Sequence, residues 1–187
     1  MSTFTPGISG QLLTAEQYFA LPDVGPSELV RGEIVMMTPP GARHGWLCAE
    51  IARLLSNFVS EHDLGYVLTN DSGVVTTRRP DSVRGADVSY YSYSRLPKGE
   101  LPRGYPEQSP ELVFEVLSPT NVWKEMLEKV SEYLNADVLR VCVLDPDSKT
   151  LVVYYPDRPE ISLSGEEELT LPEILPGFVL PLTTLFP

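Results

Sequence analysis

The chain has 187 residues, 42% hydrophobic and 21% charged, which suits one domain over 1–187 with a sizeable core. Its net charge of −12 argues against binding nucleic acid through a broad basic surface, while a local patch drawn from Arg43, Arg78, Arg79, Arg84 and Arg103 is left open. No apolar run approaches the ~18–20 residues of a membrane span, and the opening MSTFTPGISG has neither the basic nor the apolar region of a signal peptide, so a cytoplasmic protein is expected.

Thr14 predicts an N-cap for a short helix, AEQYFAL, that stops before Pro22. ELVRGEIVMM predicts a strand pair bent at Gly32, and TPPGARHG a loop. From about Ala42 to His62, Leu47, Cys48, Ile51, Leu54, Leu55, Phe58 and Val59 recur at helical spacing. His44 opens that stripe and reads as a satisfied or capping histidine. Cys48 and Cys142 lie far apart without metal-type spacing and read as buried free thiols. YVLTNDSGVVTTRRPDSVRGADVSYYS predicts strands broken by polar turns at NDSG and RPDS. Ser94 to Pro110, rich in Pro and Gly, predicts a long surface loop.

Leu112 to Leu117 is apolar on both faces, as in the centre of a covered sheet, and Pro119 ends it. A helix from about Asn121 to Asn135 follows, with Trp123, Met126, Leu127, Val130, Tyr133 and Leu134 on its apolar face. VLRVCVLD and TLVVYYP predict a hairpin through PDSK, EISLSGEEELTL another turning near Gly165, and LPGFVLPLTTLFP an apolar tail that packs back. The order predicts a mixed β-sheet flanked by helices, an α/β or α+β fold.

Three acids lie in or beside apolar strands: Glu33 in VRGEIVMM, Asp87 in RGADVSYYS and Glu115 in VFEVLSP. Burying an unpaired charge costs several kcal/mol, so each needs a strand end, a base such as Arg31, Arg84 or Arg140, or a cation. If the strands of Asp87 and Glu115 are neighbours, both carboxylates can reach one cleft. A divalent ion of the Mg²⁺ or Mn²⁺ type would then relieve their repulsion. A nuclease site also needs a cationic group near the phosphate. Lys124 and Lys129 border opposite sides of the helical stripe, and the helical wheel does not choose between them.

Several segments resemble the Uma-two family of restriction-endonuclease-like proteins, within the PD-(D/E)xK nuclease superfamily. They are TAEQYFALPD, ELVRGEIVMMTPPGARHG, ADVSYYS, ELVFEVLSPTN and LRVCVLDPDSKTLVVYYP. The resemblance spans nearly the whole chain. It implies Glu33, Asp87, Glu115 and Lys129 as the site residues, with the lysine on the following helix rather than at Leu117. It further implies Mg²⁺ or Mn²⁺ held by Asp87, Glu115 and the carbonyl of Val116, and a restriction-endonuclease-like fold. The expected function is metal-dependent cleavage of DNA, possible as a homodimer, and the alternative is a nucleic-acid- or partner-binding module that keeps the fold without cutting.

Overall fold

The computed structural model describes residues 12–22, 24–118 and 123–186. Helix α1 (Ala15–Phe19) starts at Thr14 with a full capping box, in which Thr14 accepts from Gln17 N–H and the Gln17 side chain accepts from Thr14 N–H. Strands β1 (Ser27–Val30) and β2 (Glu33–Met36) form a hairpin whose turn places Arg31 at φ 52° and Gly32 at φ 82°. Helix α2 (Ala42–Glu61) follows, then the long pair β3 (Gly65–Thr77) and β4 (Ser82–Ser92). After the Pro-rich loop come β5 (Leu112–Val116), α3 (Trp123–Asn135), β6 (Arg140–Asp145), β7 (Thr150–Tyr154), β8 (Ile161–Ser164), β9 (Glu168–Leu171), β10 (Leu175–Pro181) and α4 (Leu182–Leu185). Pro119 and Asn121, expected to end the strand and open the helix, lie outside the described residues.

Eight strands form one mixed sheet in the order β2-β1-β4-β5-β6-β7-β8, with β3 also paired to β4, and β9 and β10 form a separate ribbon. Among the described residues the only parallel pair is β5 with β6, joined through α3. Alternation along β5 sorts the core. Leu112, Phe114 and Val116 pack with the α2 residues Leu47, Ile51, Leu55 and Val59, and with β9, β10 and α4. Val113 and Leu117 pack on the other face with Met126, Val130 and Tyr133 of α3. The C-terminal tail thus packs back into the core, as its sequence predicts.

Two local expectations are corrected. NDSG is no turn: β3 runs straight through it, with Asn70 and Asp71 at φ 63° and 53° in a bulge opposite Asp87. Asn and Asp tolerate that left-handed conformation, which serves a bulge as well as a turn. EISLSGEEELTL does not form a hairpin with itself. The chain does turn at Gly165, but β8 pairs with β7 and β9 pairs with β10.

A candidate active site at a split strand edge

Strand β4 carries three neighbours on two edges. β3 covers one edge along its whole length. The other is shared: β1 pairs at Val83, and β5 pairs from Val88 to Tyr90. Between those contacts β1 and β5 diverge, and backbone groups that a neighbouring strand would have bonded need other partners. Side chains supply them. Glu28 Oε1 accepts from Gly85 N–H at 2.9 Å, Lys129 Nζ donates to the Gly85 carbonyl at 2.7 Å, and Asp87 Oδ2 accepts from Val116 N–H at 2.7 Å. Gly85 must be small here, because a Cβ on it would lie 2.9 Å from the Cβ of Asp71 in the bulge.

The same groups form one electrostatic cluster. Glu115 follows the β5 alternation onto the α3 face, where Lys129 and Tyr133 stand one helical turn apart. Lys129 Nζ lies 2.9 Å from Glu115 Oε2 and 3.0 Å from Glu28 Oε1, so with Gly85 all three ammonium donors are used. Tyr133 O–H donates to Glu115 Oε1 at 2.8 Å. Behind them, Arg84 clamps Glu132 of α3 at 2.7 and 2.8 Å and reaches Glu28 at 2.9 Å. On the α2 side, His44 Nε2 stands 3.3 Å from Asp87 Oδ2.

The structure therefore brings Asp87, Glu115 and Lys129 together with Val116, and leaves Glu33 out. Glu33 is solvent-exposed at the first position of β2. Its register partner is Val30, beside the hairpin turn and one strand further from β4. Glu28 shares that strand face but sits in β1, against β4, and is 5% exposed. The clue was the turn itself: Gly32 fixes Glu33 at the hairpin tip, whereas Glu28 lies deeper in the strand. Lys124 is solvent-exposed, 3.9 Å from Glu128, while Lys129 is enclosed by the cluster. Glu132 and Tyr133 carry no sequence signal that separates them from ordinary surface or core residues, while Arg84, one of the bases named for the strand acids, pairs with Glu28 and Glu132.

Negative charge exceeds positive. Glu28, Asp87, Glu115 and Glu132 face Lys129 and Arg84, and Asp71 adds its field from the bulge. Burial pushes the Glu115 carboxyl up to about 8; Lys129 opposes this and Asp87 adds to it. For Glu28, burial also pushes upward, but Lys129 and Arg84 outweigh it and hold the carboxyl below its ordinary value. Burial disfavours the Lys129 ammonium, yet Glu115 and Glu28 overcome that and keep it protonated. For Asp71, burial and Asp87 raise the carboxyl.

The donor set fits a hard divalent cation. Each Glu115 oxygen accepts one bond and keeps a lone-pair site, and a positive ion would favour the ionised form that burial and, secondarily, Asp87 disfavour.

A mixed sheet flanked by helices, with acids and a lysine at a split central strand, defines a restriction-endonuclease-like α/β protein. The family model for Uma2, described as "Putative restriction endonuclease", matches residues 15–183, and the chain belongs to that family. The crystal structure of a "putative nuclease belonging to DUF820" from Anabaena variabilis has the same fold. Its TM-score is 0.79 at 20% identity, covering 93% of this chain and 97% of that one. No curated protein matches the sequence. Among the described residues, no helix is long and apolar enough to cross a membrane.

Proposed function

We propose that this protein is a divalent-metal-dependent endonuclease that hydrolyses phosphodiester bonds in DNA. The observation that carries the proposal is the acid-rich cluster around Lys129 at the split edge of β4. Asp87, Glu115 and the carbonyl of Val116 would hold Mg²⁺ or Mn²⁺. When bound, the ion supplies charge neutralisation at the scissile phosphate and a more acidic water. Lys129 supplies fixed positive charge beside that phosphate; its ammonium is already oriented by Glu28, Gly85 and Glu115, so little reorganisation is needed. Tyr133 fixes the Glu115 carboxylate, and Glu28 takes the supporting place expected of Glu33. Cutting both strands of a duplex needs two such sites, which a homodimer would provide.

The test is incubation of plasmid and single-stranded DNA with wild type and an Asp87→Asn variant, in Mg²⁺ or Mn²⁺. Asparagine can still accept from Val116 N–H while losing the charge. No cleavage above that variant defeats the proposal. The net charge of −12 favours a second function, a binding module without catalysis, since repulsion slows approach to a polyanion. Calorimetry with Mn²⁺ separates the two: the catalytic proposal requires saturable binding at millimolar or lower concentration.

A further inference from the structure

We propose that His44, Cys48 and Asp87 form a second metal site, one that takes a thiophilic divalent ion of the Zn²⁺ type in preference to Mg²⁺. His44 and Cys48 are four residues apart on α2 and so share a helix face. His44 Nδ1 is 3.4 Å from Cys48 Sγ, its Nε2 is 3.3 Å from Asp87 Oδ2, and one ligand atom from each residue lies within 4.8 Å of the others. A tetrahedral ion with Zn–S near ~2.3 Å and Zn–N near ~2.0 Å sets its ligand atoms roughly 3.3–3.6 Å apart. The two separations run to opposite nitrogens of one ring, so binding requires the imidazole to reorient and bring a single nitrogen between thiol and carboxylate.

Chemistry and access agree with geometry. Imidazole, thiolate and carboxylate together suit zinc and its neighbours, whereas Mg²⁺ demands oxygen. Cys48 is half-buried and can be reached, while Cys142 is fully buried. Burial, Asp87, Glu115 and Asp71 raise the Cys48 thiol, so the ion must displace its proton, while the same carboxylates surround His44 and Cys48 with negative charge that attracts a cation. Binding passes the thiol proton to solvent and leaves Cys48 as thiolate, with water completing the coordination. The ion would also withdraw Asp87 from the Mg²⁺ site proposed above, so Zn²⁺ would inhibit cleavage. The site itself rests only on the placement of these three residues.

Co²⁺ serves as the probe on the full, chelator-stripped protein. Expected are a thiolate-to-cobalt charge-transfer band in the near ultraviolet and its loss on addition of Zn²⁺. In Cys48→Ala the band should be absent and Zn²⁺ affinity at least ~tenfold weaker, about 1.4 kcal/mol. A wild type without the band, or a Cys48→Ala variant that keeps it, overturns the proposal. Alkylation of wild-type Cys48 gives a readout that needs no variant: Zn²⁺ should protect the thiol and Mg²⁺ should not, and equal labelling overturns it. No nucleic acid enters either measurement. A missing band therefore leaves the nuclease proposal standing, and missing cleavage leaves this one standing.

Discussion

Replacing Arg84 by methionine tests how the charge cluster is held. The guanidinium is 11% exposed and makes three charged hydrogen bonds, two to Glu132 and one to Glu28. At ~1.5–3 kcal/mol each, their sum overstates the loss, because both acids keep other partners. Glu28 retains Lys129 at 3.0 Å and Gly85 N–H at 2.9 Å, and Glu132 retains the Thr76 hydroxyl at 3.1 Å. Removing one partner from a buried ion pair typically costs ~3–5 kcal/mol, and that range is expected here. For a chain of this size, ~2–4 °C per kcal/mol gives a fall in Tm of roughly 6–20 °C. Urea denaturation of the metal-free protein measures it. The sign of the surplus charge adds a second check. Once Arg84 is gone Glu28 faces less compensation, so Glu28→Gln should cost less in the Arg84→Met background than in wild type, by ~0.5–3 kcal/mol. A loss below ~1 kcal/mol for Arg84→Met, or equal costs of Glu28→Gln in both backgrounds, refutes the electrostatic account.

Glu28→Gln should lower both Tm and any cleavage, whereas Glu33→Gln, at an exposed hairpin tip, should stay within ~0.5 kcal/mol of wild type and keep full cleavage; paired thermal melts and plasmid assays decide. Lys129→Ala should reduce cleavage by ~10²–10³ and Lys124→Ala should leave it unchanged, so the reverse pattern in the same assay would mean the wrong lysine was assigned. The Glu115 carboxyl is raised in the fold to about 8 from an ordinary 4.5, so the native state binds the extra proton. Its contribution to stability is full below about pH 4.5 and is lost as pH rises through about 8. Urea midpoints in chelator should therefore fall between pH 5 and pH 8, Glu115→Gln should flatten that slope, and Mg²⁺ should restore stability at the upper end.

Much of this was legible in the sequence because it is periodic. The α2 stripe from Leu47 to Val59 and the two-sided apolarity of Leu112 to Leu117 each admit one burial pattern, and the structure adopts it. The Thr14–Gln17 box marks a helix start through purely local bonds. What failed was pairing between distant segments. Asn70 and Asp71 suit a bulge as well as a turn, and only β4 lying opposite distinguishes the two. Glu28 and Glu33 occupy the same face of one hairpin, and which acid meets the site depends on which strand of the hairpin joins β4. His44 read as a satisfied histidine, and it does have partners: Cys48 follows from their i,i+4 spacing on α2, but Asp87 follows from α2 crossing β4, which no local pattern encodes.

The split edge of β4 also bears on how such a chain would drift over evolutionary time. Glu28, Asp87 and Lys129 stand in for a missing strand, bonding Gly85 and Val116 where no backbone reaches. Losing any of them would strand a buried or partly buried peptide group, at up to ~1–3 kcal/mol, whether or not the protein ever meets a phosphodiester. A descendant that had given up chemistry altogether would still be held to these residues by folding alone, so their persistence in a relative would testify to the architecture before it testified to catalysis.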